Sequence, residues 1–94
     1  MKLSVTEQAS KDVVRMFQEG LERFGPKQAI RYADGLEKAY QQIVQFPKAS
    51  REREELTPQQ RVFRYRAHLI FYQLTTAEII ITRVRHGRED WQAE

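Results

Sequence analysis

The feature that most constrains the fold is a change of period near the middle of the chain. Up to Phe46 apolar residues return every three or four positions, and from Arg61 onward they alternate with polar ones. Ala9, Val13, Phe17, Leu21 and Phe24 predict one amphipathic helix, and Ala29, Ala33, Leu36, Tyr40 and Ile43 predict a second. Between them stands Gly25-Pro26, a residue free to take a left-handed conformation followed by one suited to the first turn of a helix. Thr6, or Ser4 with Glu7 as its capping-box partner, is the expected cap of the first helix. Pro47 ends the second.

After the polar stretch "PKASREREELTPQQ", β-branched and aromatic residues predict strands over 61–66, 68–74 and 78–85, joined by connections short enough for antiparallel hairpins. With a strand-like start at Lys2 to Val5 the order is βααβββ. We read the chain as one α+β domain, a helix hairpin packed on a twisted antiparallel sheet. Its parts are the hairpin (6–46), a charged loop (47–60), the strands (61–85) and a basic tail (86–94). Alternation puts Val62, Arg64 and Arg66 on one face of their strand and Phe63 and Tyr65 on the other. In the last strand it groups Ile79, Ile81, Arg83 and Arg85 against Ile80, Thr82, Val84 and His86, unless a one-residue bulge swaps the faces beyond it. The sheet face away from the helices is expected to be open.

Charge is unevenly spread. Residues 1–60 hold 10 basic and 9 acidic side chains, whereas residues 61–88 hold six arginines against Glu78. A basic C-terminal part favours an acidic partner, nucleic acid or protein, and charge does not choose between them. With no cysteine there is no disulfide or thiolate zinc site, as a reducing cytoplasm permits. The apolar runs are no longer than three or four residues, at 69–72 and 79–81, so neither signal peptide nor membrane span is expected. His68 and His86 alone make a poor metal site, no phosphate-cradling glycine loop is present, and no cofactor is expected.

Ala9 and Asp12 with "FGPKQAIRYADGL", then "HLIFYQL", then "IIITRVRHGREDW", resemble the ParE-type toxins of the RelE/ParE superfamily over nearly the whole chain. The closing motif selects Arg83, Val84, His86, Gly87, Arg88 and Asp90; Arg85 stands where an aliphatic residue is commoner, and Arg66-Ala67 replaces a usual Gly-Ser. The resemblance implies a βααβββ toxin neutralised by an antitoxin of ParD type in a hetero-oligomer. It also implies action on DNA gyrase by protein contact, with no sequence-specific nucleic-acid binding. On this reading Arg61, Arg64, Arg66 and Tyr65 border a groove for an acidic amphipathic antitoxin helix, and Arg83, Arg85, His86, Arg88 and Trp91 contact the target. Two alternatives remain open. One is an mRNA endonuclease of RelE type using His86, Arg83 and Arg64 with Glu54 or Glu55; the other is a non-toxic relative that keeps only antitoxin binding.

Overall fold

The structure, a computed structural model, describes residues 1–56 and 59–88. Its elements are β1 (Lys2–Val5), α1 (Glu7–Phe24), α2 (Pro26–Gln45), β2 (Glu52–Arg53), β3 (Gln60–Tyr65), β4 (His68–Leu74) and β5 (Glu78–His86). The strands form one sheet in the order β1-β5-β4-β3-β2, with β1 parallel to β5 and the other neighbours antiparallel. The helix hairpin on a sheet is thus as the periodicity implies. The sheet itself is mixed, because the N-terminal strand docks beside the last one, and the charged loop contributes the short β2.

Local chemistry explains each boundary. Thr6 caps α1, its hydroxyl accepting from the Ala9 N–H at 3.1 Å, while Ser4 stays in β1 and donates to Glu78 at 2.6 Å. Gly25 sits at φ 83°, ends α1 through its N–H to the Leu21 carbonyl, and starts α2 by accepting from Ala29. Gly20 faces Ala29 where the helices meet; a Cβ there would lie 3.4 Å from the Ala29 Cβ, so small residues let the hairpin close.

The core gathers Ala9 and Met16 of α1, Leu36, Ala39, Tyr40 and Ile43 of α2, and Ile70, Tyr72, Ile79, Ile81 and Val84 of the sheet. On α1 the buried line is Ala9, Asp12 and Met16, and the predicted Leu21 and Phe24 are exposed. Steps of four residues advance more than one turn, so a series of them drifts by about 40° per step around the helix.

The last strand carries the bulge that alternation could not locate. Phe71 pairs with Arg83 and Tyr72 with Ile81, leaving Thr82 as the extra residue. Its hydroxyl is shared between the Gln60 side chain and the Phe71 carbonyl. Beyond it the faces change over. Val84 joins Ile79 and Ile81 in the core, while Arg83 and Arg85 lie across from Phe71 and Leu69 on the other face. That face is not the open surface expected, since Leu69, Phe71 and Arg85 are buried.

One ion pair fastens α1 to β5. Asp12, 2% exposed at its side chain, accepts from Arg83 Nε at 2.8 Å, from Arg83 Nη2 at 3.1 Å and from the Val84 N–H at 3.0 Å. Arg15 adds a cation at 3.6 Å. Burial alone would raise the Asp12 pKa, but the Arg83 and Val84 hydrogen bonds and the two positive charges outweigh it and hold the carboxyl below its ordinary 3.8. A depressed folded-state value stabilises the fold above the unfolded pKa, and that contribution is lost as pH falls through the lower folded value. Asp12→Ala also strands a partly buried guanidinium and an N–H, and should cost about 3 kcal/mol in chemical denaturation. Stability of the parent should drop below about pH 4, and the variant should lose that part of the acid dependence.

Tyr40 supplies a contrasting case. Its hydroxyl is buried without a hydrogen-bond partner among the described residues, and burial, with Glu37 and Asp12 nearby, pushes its pKa to about 12. Removing an unsatisfied group restores nothing lost in solvent exposure, so Tyr40→Phe should melt at the same temperature or higher. A lower melting temperature would contradict this account.

Candidate functional site

The register places Tyr65, His68 and His86 in one row across β3, β4 and β5, at the end of the sheet beside the Arg66-Ala67 turn. Tyr32 of α2 closes over this row. Its hydroxyl accepts from the Ala67 N–H at 3.3 Å and lies within hydrogen-bond distance, 2.8 Å, of His68 Nδ1. Burial raises the Tyr32 pKa above its ordinary 10.0, so the hydroxyl is protonated at neutral pH. Ring edges meet in sequence: Tyr65 to Tyr32 at 4.9 Å, Tyr32 to His68 at 5.5 Å, and His68 to His86 at 5.2 Å between centroids.

Tyr65 is fixed from the other side. Its hydroxyl donates to the Tyr32 carbonyl at 2.8 Å, and the absence of a side chain at Gly35 makes room for it. A Cβ at Gly35 would overlap that hydroxyl. His86 Nδ1 accepts from the Arg88 N–H at 3.1 Å and so helps form the turn after β5. Asp90 and Trp91 of the same closing segment lie outside the described residues. The Gly87 N–H then donates to the Ala67 carbonyl at 2.8 Å, bringing the two turns together.

This junction collects positive charge. Arg64, Arg66 and Arg88 are exposed around it, and the Arg64 guanidinium lies beside Gly87. Arg66 adopts φ 50° in the tight turn, its guanidinium 6.0 Å from the Tyr65 ring centroid. Next to the row a cleft of about 370 Å³ opens between the helices and the strand ends, walled by Phe17, Phe24 and Tyr32, with Arg23 and Arg66 on its rim. Phe24 is 60% exposed.

The predicted site residues therefore divide. Arg64, Arg66 and Arg88 meet at one surface, with His86 beneath them in the framework of the turn. Tyr65 faces the helices, Arg83 holds Asp12, Arg85 is buried, and Arg61 donates to the Ser50 carbonyl at 2.7 Å at the far end of β3. The nuclease set is not brought together: Arg83 is held by Asp12, and Glu54 and Glu55 follow β2 at the end of the sheet away from His86. Sequence reasoning quoted Asp12, Tyr32 and Gly35 within the motifs but gave them no role. An acid set within the apolar line Ala9, Val13 and Met16 was a readable sign for Asp12; Tyr32 and Gly35 take their roles only from the strand that passes them.

The Gly35–Tyr65 fit is testable. Gly35→Ala must displace the ring and break its bond to Tyr32, and should destabilise by about 1–3 kcal/mol, whereas Gly35→Ala combined with Tyr65→Phe should recover part of that loss. Additive costs in denaturant melts would show that the two positions do not share this contact.

Comparison with known proteins agrees with this architecture. The family model for the ParE toxin of type II toxin-antitoxin system, parDE, matches residues 3–91. Toxin ParE3 of Caulobacter vibrioides is 28% identical over 89 residues, covering 95% of this chain and 89% of that protein. A solved structure of the chromosomal ParDE TA system from P. aeruginosa superimposes with a TM-score of 0.78 over 92% of this chain and 95% of that one; at 19% identity the likeness speaks for the fold. With its helix hairpin, its five-stranded sheet and a family match spanning nearly every residue, the chain belongs to the ParE toxins of type II toxin-antitoxin systems.

Proposed function

We propose that the protein is a cytoplasmic toxin that inhibits DNA gyrase by protein-protein contact, not by catalysis, and that a ParD-type antitoxin silences it in a hetero-oligomer. The observation that carries this reading is the cationic junction of Arg64, Arg66 and Arg88 beside an apolar cleft, in a chain of the ParE family. Such a surface suits protein recognition, with apolar anchors giving affinity and charges giving register. Arg64 and Arg66 are assigned to the antitoxin, and Arg88 with the following tail, including Trp91, to the target. Separation of the residues a nuclease would need supports a non-catalytic mode.

The test is incubation of the free chain with gyrase, ATP and supercoiled plasmid, followed by protein digestion and electrophoresis. Linear DNA should accumulate with the free chain and not with the antitoxin-bound one. His86→Ala should weaken this effect only a few-fold, whereas a hundredfold loss of toxicity together with intact gyrase activity would indicate a lost general acid or base and mRNA cleavage instead. Arg66→Glu should slow antitoxin association by roughly tenfold at low salt and less at high salt, as expected for a rim charge. An association rate unchanged by this substitution would remove Arg66 from the antitoxin surface.

A further inference from the structure

The sheet face turned away from the helices is closed to solvent near its last turn. Both helices pack on the side of Ile70, Tyr72, Ile81 and Val84. The loop after α2 stays on that side too, its Pro47 and Ser50 carbonyls accepting from Tyr72 and Arg61. The opposite side carries the rows Val62–Phe71–Arg83 and Arg64–Leu69–Arg85. In a two-layer fold such a face is the wet one, because neighbouring strands shield the flanks of a side chain and leave its top to water. Yet Phe71 is 4% exposed, Leu69 9% and Arg85 8%. A phenyl ring on a middle strand is that well buried only when something also packs over it.

We infer that this face is a docking surface for the chain's own closing segment, residues 89–94, with the Trp91 indole on Leu69 and Phe71 and the carboxylates of Glu89 and Asp90 turned to Arg64 and Arg85. Charge and reach name the occupant. The two rows hold three arginines and no acid, and Arg83 is engaged by Asp12. The segment holds three acids, no cation and the chain's one tryptophan. Opposite charges around an apolar centre fix the register of such a contact. Arg85, which pairs with Leu69, stands three residues before Arg88, about 10 Å back along the strand. Three extended residues also cover about 10 Å, so Trp91 comes level with Leu69 and its side chain reaches Phe71. A second copy of this chain in a symmetric contact would set Arg64 and Arg85 against themselves. Nucleic acid pairs with cations that stand in solvent, which Arg85 does not. The docking stands on geometry and charge, and its meaning for the target rests on the functional reading above. The segment assigned there to gyrase is held on the toxin itself, and binding the target requires lifting it off the sheet.

A single tryptophan and the lack of cysteine let two probes read the docking directly in the full chain. With no substitution at all, Trp91 fluorescence should be blue-shifted and several-fold less quenched by acrylamide in the folded chain than in the denatured one. Equal emission and quenching in the two would overturn the inference. Arg64→Cys with Gln92→Cys should form a disulfide within one chain under mild oxidation. A disulfide formed instead by Arg23→Cys with Gln92→Cys would put the segment in the cleft at the histidine row, and one formed between chains would point to a second copy; either overturns the inference. Locked by the first disulfide, the chain should lose most gyrase-dependent DNA cleavage and regain it on reduction. Cleavage equal in the locked and reduced forms would overturn the holding of the segment from the target. No cleavage by the parent chain would overturn the functional reading instead, while a shielded tryptophan and the intrachain disulfide would still support the docking.

Discussion

The buried carboxylate of Asp12 is the contact on which the rest of this structure depends. β5 runs on past the end of β1, and its outer edge beyond Ile81 would present unpaired backbone groups to the interior. Three groups of the first helix and its cap, on two residues, serve that edge in turn. The Thr6 N–H donates to the Ile81 carbonyl at 3.0 Å, the Thr6 hydroxyl donates to the Thr82 carbonyl at 3.0 Å, and Asp12 takes the Val84 N–H. The helix therefore continues the ladder that β1 begins. Arg83 neutralises the charge this requires, which makes a motif arginine part of the scaffold.

The bulge at Thr82 works with that anchor. Without the extra residue, strict alternation would direct Arg83 and Arg85 to the helix side and Val84 away from it. With it, Val84 completes the core with its N–H on Asp12, and His86 lands in the row with His68 and Tyr32. The position of the basic junction follows from the same shift, because the turn after His86 meets the Arg66-Ala67 turn through Gly87. Fold and site are thus linked by a single irregularity in one strand.

Two clefts open at opposite ends of the sheet and differ in character. The cleft at the histidine row is edged by Arg23 and Arg66 and lies among further exposed arginines, a setting for electrostatic capture. The far cleft, walled by Met1, Phe46, Pro47 and Leu74, is more apolar, a setting for burial. Phe24 and Phe46, at opposite ends of the sheet, are the exposed aromatic rings beside them. Large apolar side chains held out in water lower solubility and gain free energy when covered, which is why such positions mark interfaces more often than scattered single residues do.

The sequence by itself determined the element types and their order. Periods of 3.6 and 2 require different backbones to bury the same apolar residues, and Gly25-Pro26, Thr6 and Pro47 supply the local boundaries. It also determined the basic character of the C-terminal part, since charge is a sum over residues. Only the tertiary structure decided which face each residue takes after Thr82, where β1 docks, and which arginines remain on the surface. A bulge has no signature in alternation until a partner strand defines what is opposite, and parallel pairing of β1 with β5 joins segments more than seventy residues apart. For the same reason Arg83 and Arg88, neighbours in one motif, have separate fates: an acid on α1 claims the first, and only three-dimensional contact could make that choice.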